Sequence, residues 1–250
     1  MSKELDHIYE LDVEVSDLNE KSILKPYAYQ NLIAKVAEKH LTKHNAHVQT
    51  TMKYNMTWAL VSISYNILKP ITGCQKLFAT TWYSKRKGPY FRREVQFRNE
   101  KGEILFEGST FSVILDLAKR TVYRKTEVPF LHFEPTETFT IDAKPTFKSK
   151  LNYQKIEQRK VQNSHMDLLG HVNNSRYGEF AYDGFTEEER EALLDYNRME
   201  YYFQSELRRG ETFSIHKGKA EDRLVIRGYN ETRGCVSFEI VFNKTDKDKR

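Results

Sequence analysis

At 250 residues the chain has room for one large domain or two of about 120 residues each, either able to bury a core. Hydrophobic residues make up 39% and charged residues 30%, mean hydropathy is -0.71, and no apolar run approaches the roughly 20 residues of a membrane-spanning helix. The net charge of +5, from 40 Lys and Arg against 35 Asp and Glu, is too small to argue for a nucleic-acid partner.

The opening Met-Ser-Lys-Glu-Leu-Asp-His has no basic stretch leading into an apolar one, so the expected location is cytoplasmic. From Pro26 to His40, Tyr29, Leu32, Ile33, Val36 and Ala37, with Leu41 beyond, repeat at the spacing of an amphipathic helix, and Pro26 suits its first turn. Four strands follow, Thr57 to Ile67, Lys76 to Trp82, Tyr90 to Arg98 and Glu103 to Asp116, all rich in β-branched and aromatic residues. Asn99 to Gly102 reads as a hairpin turn between the last two. Pro129, Pro135 and Pro145 mark a linker from about Glu127 to Lys150, and the domain boundary is placed at Pro135. The order then repeats: a strand from Tyr153 to Val161, a helix from about Asn173 to Phe185, and a short helix capped by Thr186. Strands near Met199–Gln204, Thr212–Lys219, Arg223–Tyr229 and Cys235–Asn243 complete it, so helix followed by strands occurs twice. Cys74 and Cys235, the only cysteines, have no Cys-x-x-Cys spacing and read as free thiols rather than a disulfide framework or zinc site.

One segment carries chemistry. His165-Met166-Asp167-Leu168-Leu169-Gly170-His171-Val172-Asn173-Asn174-Ser175-Arg176, followed by Tyr177, places an acid at i and an imidazole at i+4 with a glycine between them, just before a helix. Free N–H groups at a helix start complete a set suited to attacking a carbonyl. Asn173 or Asn174 serves equally as a helix N-cap. His165, Asp167, His171 and Glu206 match no familiar zinc spacing, so no metal is expected.

Gly170-His171-Val172-Asn173-Asn174-x-x-Tyr177 after Asp167 resembles the active-site segment of hotdog-fold thioesterases. Among them it is similar to the acyl-ACP thioesterases, whose plant members read Asp-x-Asn-x-His-Val-Asn-Asn-x-x-Tyr. First-half landmarks follow that family's order: Trp58, Pro70 before Gly73, Thr81-Trp82, Arg92-Arg93-Glu94-Val95, and Gly102-Glu103 before Ser109-Thr110-Phe111. Glu206-Leu207-Arg208-Arg209-Gly210-Glu211-Thr212-Phe213 resembles the Glu-x-x-x-Gly-Asp-x-Val segment that these enzymes place on the strand after the helix.

The resemblance implies an α+β protein of two tandem hotdog domains, each an antiparallel sheet wrapped around a long central helix. Residues 1–134 would form the N-terminal domain with the acyl-chain cavity and 135–250 the catalytic one. The implied activity is hydrolysis of fatty acyl-ACP to free fatty acid and carrier protein, ending chain elongation, with no cofactor. Asp167 would hold or activate water, His171 would move protons, and Glu206 would position His171 or act as base. Backbone N–H groups near Gly170 to Asn173 would polarise the thioester oxygen, and Gly170, Val172, Asn173 and Asn174 form the implied substrate-binding set. Leu169 departs from the plant pattern, which has Asn two residues before the His. An acyl carrier protein is acidic, so Lys85-Arg86-Lys87, Arg92-Arg93 and Arg208-Arg209 are either steering patches or solvated faces. Other readings are an acyl-CoA thioesterase and a non-catalytic acyl-thioester-binding module; two fused hotdogs fit a monomer or a homodimer.

Overall fold

The computed structural model describes residues 7–125, 127–132 and 134–245, so residues 1–6 of the opening segment fall outside the described residues. The chain divides into two compact units, Met1–Pro145 and Thr146–Arg250. Each is an antiparallel sheet with a helix packed on it, the expected α+β plan.

In the first unit β1 (Tyr9–Asp12), β2 (Met56–Ile67), β3 (Lys76–Lys87), β4 (Tyr90–Arg98) and β5 (Ile104–Asp116) pair in the order β1-β3-β4-β5-β2, with β6 (Thr121–Val122) on β5. Helix α1 (Pro26–Lys43) has proline in its first turn and buries Tyr29, Leu32, Ile33 and Val36. Tyr29 stacks on Tyr65 of β2 at 5.5 Å and meets Phe106 of β5 edge-on at 5.0 Å, while the Tyr65 hydroxyl donates to the Pro26 carbonyl at 2.8 Å. A short helix, α2 (Val48–Met52), precedes β2.

The boundary lies beyond Pro135 because the segment after it is bound to the first sheet. Thr136 bridges Ser84, Trp82 Nε1 donates to the Thr138 carbonyl at 3.1 Å, and Ser62 Oγ donates to the Lys144 carbonyl at 3.1 Å. Thr140 donates through N and Oγ1 to Glu94, at 3.1 and 2.7 Å, and Ile141 and Ala143 pack on Phe111. Strand side chains alternate between faces, so this strap covers the face opposite α1 and buries residues that would otherwise meet water. Arg92 and Arg93 are accordingly no solvated patch: Arg92 pairs with the fully buried Glu94 at 2.6 Å, and Arg93, on the α1 face, lies 3.0 Å from His40 Nδ1.

In the second unit β7 (Gln154–Lys160), β8 (Arg198–Phe203), β9 (Thr212–Lys219), β10 (Arg223–Asn230) and β11 (Cys235–Asn243) pair in the order β8-β11-β10-β9-β7. Helix α3 (Asn174–Asp183) lies on β10 and β11. Its Tyr177 stacks on Phe238 at 4.7 Å and its Phe180 packs on Phe213 at 4.8 Å. Helix α4 (Glu187–Ala192) begins with the expected Thr186 cap, whose Oγ1 accepts from Glu189 N.

Two outcomes test this packing. A Cβ on Gly228 would sit 1.9 Å from Cε1 of the fully buried Phe238, whose ring is held against Tyr177. Gly228→Ala should therefore cost about 1–3 kcal/mol or more of overpacking, read as a lower denaturant midpoint. His40 is pushed down to about 2 by burial and then by Arg93, His44, Lys43 and His7. The unfolded chain thus takes up a proton below about 6.5 that the folded chain refuses, so stability is full above that pH and falls beneath it. His40→Gln should flatten the stability–pH slope between pH 6.5 and 4.5 by up to about 1.4 kcal/mol per unit.

Candidate active site

Asp167 to His171 form a tight turn that returns the chain to the start of α3. Gly170, at φ 79°, supplies the left-handed backbone the turn requires. Asp167 Oδ1 accepts from Leu169 N at 2.9 Å and His171 N at 3.2 Å, and Asp167 N donates to the His171 carbonyl at 2.8 Å. Beyond the turn, Asn173 caps α3 by accepting from Ser175 N at 3.0 Å.

Glu206 lies in the link between β8 and β9, not on a strand. A single antiparallel bridge joins this link to the turn, setting His171 opposite Arg208. Bridged partners project to the same side and side chains two apart share a face. His171, Glu206 and Arg208 therefore share a side, while Leu207 points the other way and is fully buried. His171 Nε2 lies 3.0 Å from Glu206 Oε2, with both side chains about one-third exposed. Among the described residues no hydrogen bond engages His171 Nδ1. An ionised Glu206 holds the proton on Nε2 and leaves Nδ1 as the basic atom.

The expected amide donors are committed elsewhere. Gly170 N donates to Asp167 O at 3.2 Å, His171 N to Asp167 Oδ1, Val172 N to Leu207 O at 2.8 Å, and Asn173 N to His165 O at 2.8 Å. Backbone groups seek the partners that close the turn, so these residues build the loop rather than present free donors. His165 is likewise structural, since its Nδ1 accepts from Gln162 N at 3.0 Å and its ring rests on Phe180. Leu169 sits at the partly exposed tip beside Leu168, which is 77% exposed. Among the described residues no three His, Cys, Asp or Glu side chains form a metal-ligating cluster.

The first unit contains the same loop without the same chemistry. Asn19 Oδ1 accepts from Lys21 N at 3.0 Å and Ile23 N at 2.9 Å, and Asn19 N donates to Ile23 O at 2.9 Å. Ser22 takes the positive φ of Gly170, and Leu24 N donates to Ile71 O at 2.9 Å as Val172 N does to Leu207 O. Ile23 bridges Thr72, and Tyr29 accepts from Ile71 N at 3.3 Å, as Tyr177 accepts from Leu207 N at 3.0 Å. Asn19, Ile23, Pro70 and Thr72 thus occupy the places of Asp167, His171, Glu206 and Arg208. The scaffold is shared and the titratable set belongs to the second unit alone.

A helix packed on an antiparallel sheet, occurring twice in one chain, is the tandem hotdog arrangement, and the family models that match the two halves make the protein a thioester hydrolase. The model of the acyl-ACP thioesterase N-terminal domain matches residues 2–128 and that of the C-terminal domain matches residues 148–247. The chain belongs to the acyl-ACP thioesterase family. Its fold is similar to an acyl-ACP thioesterase from Bacteroides thetaiotaomicron, with a TM-score of 0.81 at 17% identity over 95% of this chain and 96% of that one. The 12:0-ACP thioesterase from Umbellularia californica has a TM-score of 0.74 at 12% identity over 94% and 96% of the two chains. A putative oleoyl thioesterase from Lactobacillus plantarum has a TM-score of 0.74 at 14% identity over 96% and 98%. Comparison with curated protein sequences gave no match.

The twin loop predicts how Asp167 divides between structure and chemistry. An amide oxygen builds the same turn at Asn19, so Asp167→Asn should leave the thermal midpoint nearly unchanged. Asp167→Ala removes both acceptor contacts and should cost about 1–2 kcal/mol. Thermal and denaturant unfolding of the two variants side by side checks this.

Proposed function

We propose that the protein hydrolyses fatty acyl-ACP with His171 and Glu206 as the proton-transferring pair and Asp167 as the holder of the attacking water. The 3.0 Å contact between His171 Nε2 and Glu206 Oε2 carries this reading. Water attacks the thioester carbonyl as His171 Nδ1 takes its proton, and the Glu206 carboxylate stabilises the imidazolium that results. The imidazolium then returns a proton to the departing thiolate of the carrier's prosthetic arm. Asp167 Oδ1 is used by the turn, which leaves Oδ2 to orient the water. Partial positive charge at the start of α3 favours the developing oxyanion.

We assign the acyl chain to the first unit on family membership. The preference for carrier protein over CoA rests on family membership and on the exposed Arg209 beside the site. No helix among the described residues is long and apolar enough to cross a membrane. Both cysteines are free thiols, a state that a reducing compartment preserves, and we place the reaction in the cytoplasm, where it ends fatty acid elongation.

Thiol release from matched acyl-ACP and acyl-CoA series tests the proposal. Acyl-ACP should be the better substrate, and His171→Ala and Glu206→Gln should each lower kcat by about 100- to 10,000-fold while the protein stays folded. Selective turnover of acyl-CoA would move the protein to the rival reading, and wild-type turnover in both variants would overturn the site assignment.

A further inference from the structure

Arg208, read from the sequence as either a steering charge or part of a solvated face, is turned toward the reacting pair. Arg208 Nε donates to Glu206 Oε1 at 2.8 Å, and Nη2 donates to the same oxygen. Oε2 of that carboxylate meets His171 Nε2. One oxygen therefore takes the guanidinium and the other takes the imidazole. Arg208 is itself held from behind: its backbone N donates to Glu211 Oε2 at 2.8 Å, and its carbonyl accepts from Glu211 N at 3.1 Å. Glu211 is occupied by Arg233 at 2.9 Å and Asn230 at 2.8 Å, so its carboxylate is engaged away from the guanidinium.

We infer that Arg208 is a positioning residue, which locks the Glu206 carboxylate in the orientation that presents Oε2 to His171. This rests on the reading of His171 and Glu206 as the proton-transferring pair. A glutamate's terminal torsion is broad, so a carboxylate held only by His171 swings out of line at little cost. A planar guanidinium supplies donors from a fixed frame, which a lysine ammonium does not. The first unit agrees: where Pro70 replaces the glutamate and Ile23 the histidine, Thr72 replaces the arginine. The Arg208 side chain is 60% exposed, and a solvated ion pair of this kind contributes little to folding stability. Its effect should therefore appear in turnover and not in unfolding.

The test uses Arg208→Met and Arg208→Lys in the full chain, assayed on acyl-ACP at low and high salt, with each change repeated on Glu206→Gln. Arg208→Met should lower kcat by about 10- to 100-fold, leave KM within about twofold, and leave the thermal midpoint unchanged. Arg208→Lys should recover part of that loss. On the Glu206→Gln background Arg208→Met should add nothing further, because the two act through one geometry. A salt-sensitive rise in KM with unchanged kcat would overturn the inference and make Arg208 a contact for the carrier. So would a full additional loss on the Glu206→Gln background. Wild-type turnover in Arg208→Met with an inactive Glu206→Gln overturns this inference alone, whereas wild-type turnover in Glu206→Gln overturns it together with the reading of the pair.

Discussion

The site depends on how Leu207 is tied down. Its side chain is fully buried, its N–H donates to the Tyr177 hydroxyl, and its carbonyl accepts from Val172 N. An orphaned buried N–H would cost about 1–3 kcal/mol, so the link between β8 and β9 is held to both the turn and α3. Strand alternation then throws Glu206 and Arg208 to the other side, opposite His171. The burial of Tyr177 raises its hydroxyl above the usual phenol range, which keeps it neutral as the acceptor for Leu207.

The twin loop separates scaffold from chemistry within one chain. Both copies bury a tyrosine on the helix, bind the facing link through the same pair of backbone contacts, and close the turn on an Asx side chain. Such a turn needs an oxygen acceptor, which Asn and Asp both provide, so the backbone places no demand on charge. Asp167, His171, Glu206 and Arg208 vary from their counterparts without disturbing the loop that carries them. At the tip, Glu20 and Lys21 in one copy stand where Leu168 and Leu169 stand in the other, so the exposed leucines are not required by the turn either.

Much of the fold could be read from periodicity. The helix at Pro26, the long strands from Met56 to Asp116, the Thr186 cap and the last three strands lie where apolar spacing and β-branched residues put them. Strand β1 escaped because four residues carry too little pattern, and α2 because Val48–Met52 shows no sustained apolar face. The arginines at 92 and 93 read as surface charge, since nothing local announces that a strap and a helix cover both faces of β4. In the site, Asp167 and His171 are legible from their spacing and Glu206 from the family's second segment. The commitment of the amides between Gly170 and Asn173 is not, because their acceptors include a residue on a distant link.

The order of the longer elements, the presence of two similar halves, and the candidate acid and base were determined by the sequence alone, since helix and strand periods and turn residues act over a few neighbours. Only the tertiary structure decided which side chains meet. Glu206 reaches His171, and Arg208 reaches Glu206, because one bridge and one buried tyrosine set the register between segments far apart in the chain. Register between such segments is a property of packing and of satisfied backbone groups, and no local run of residues specifies it.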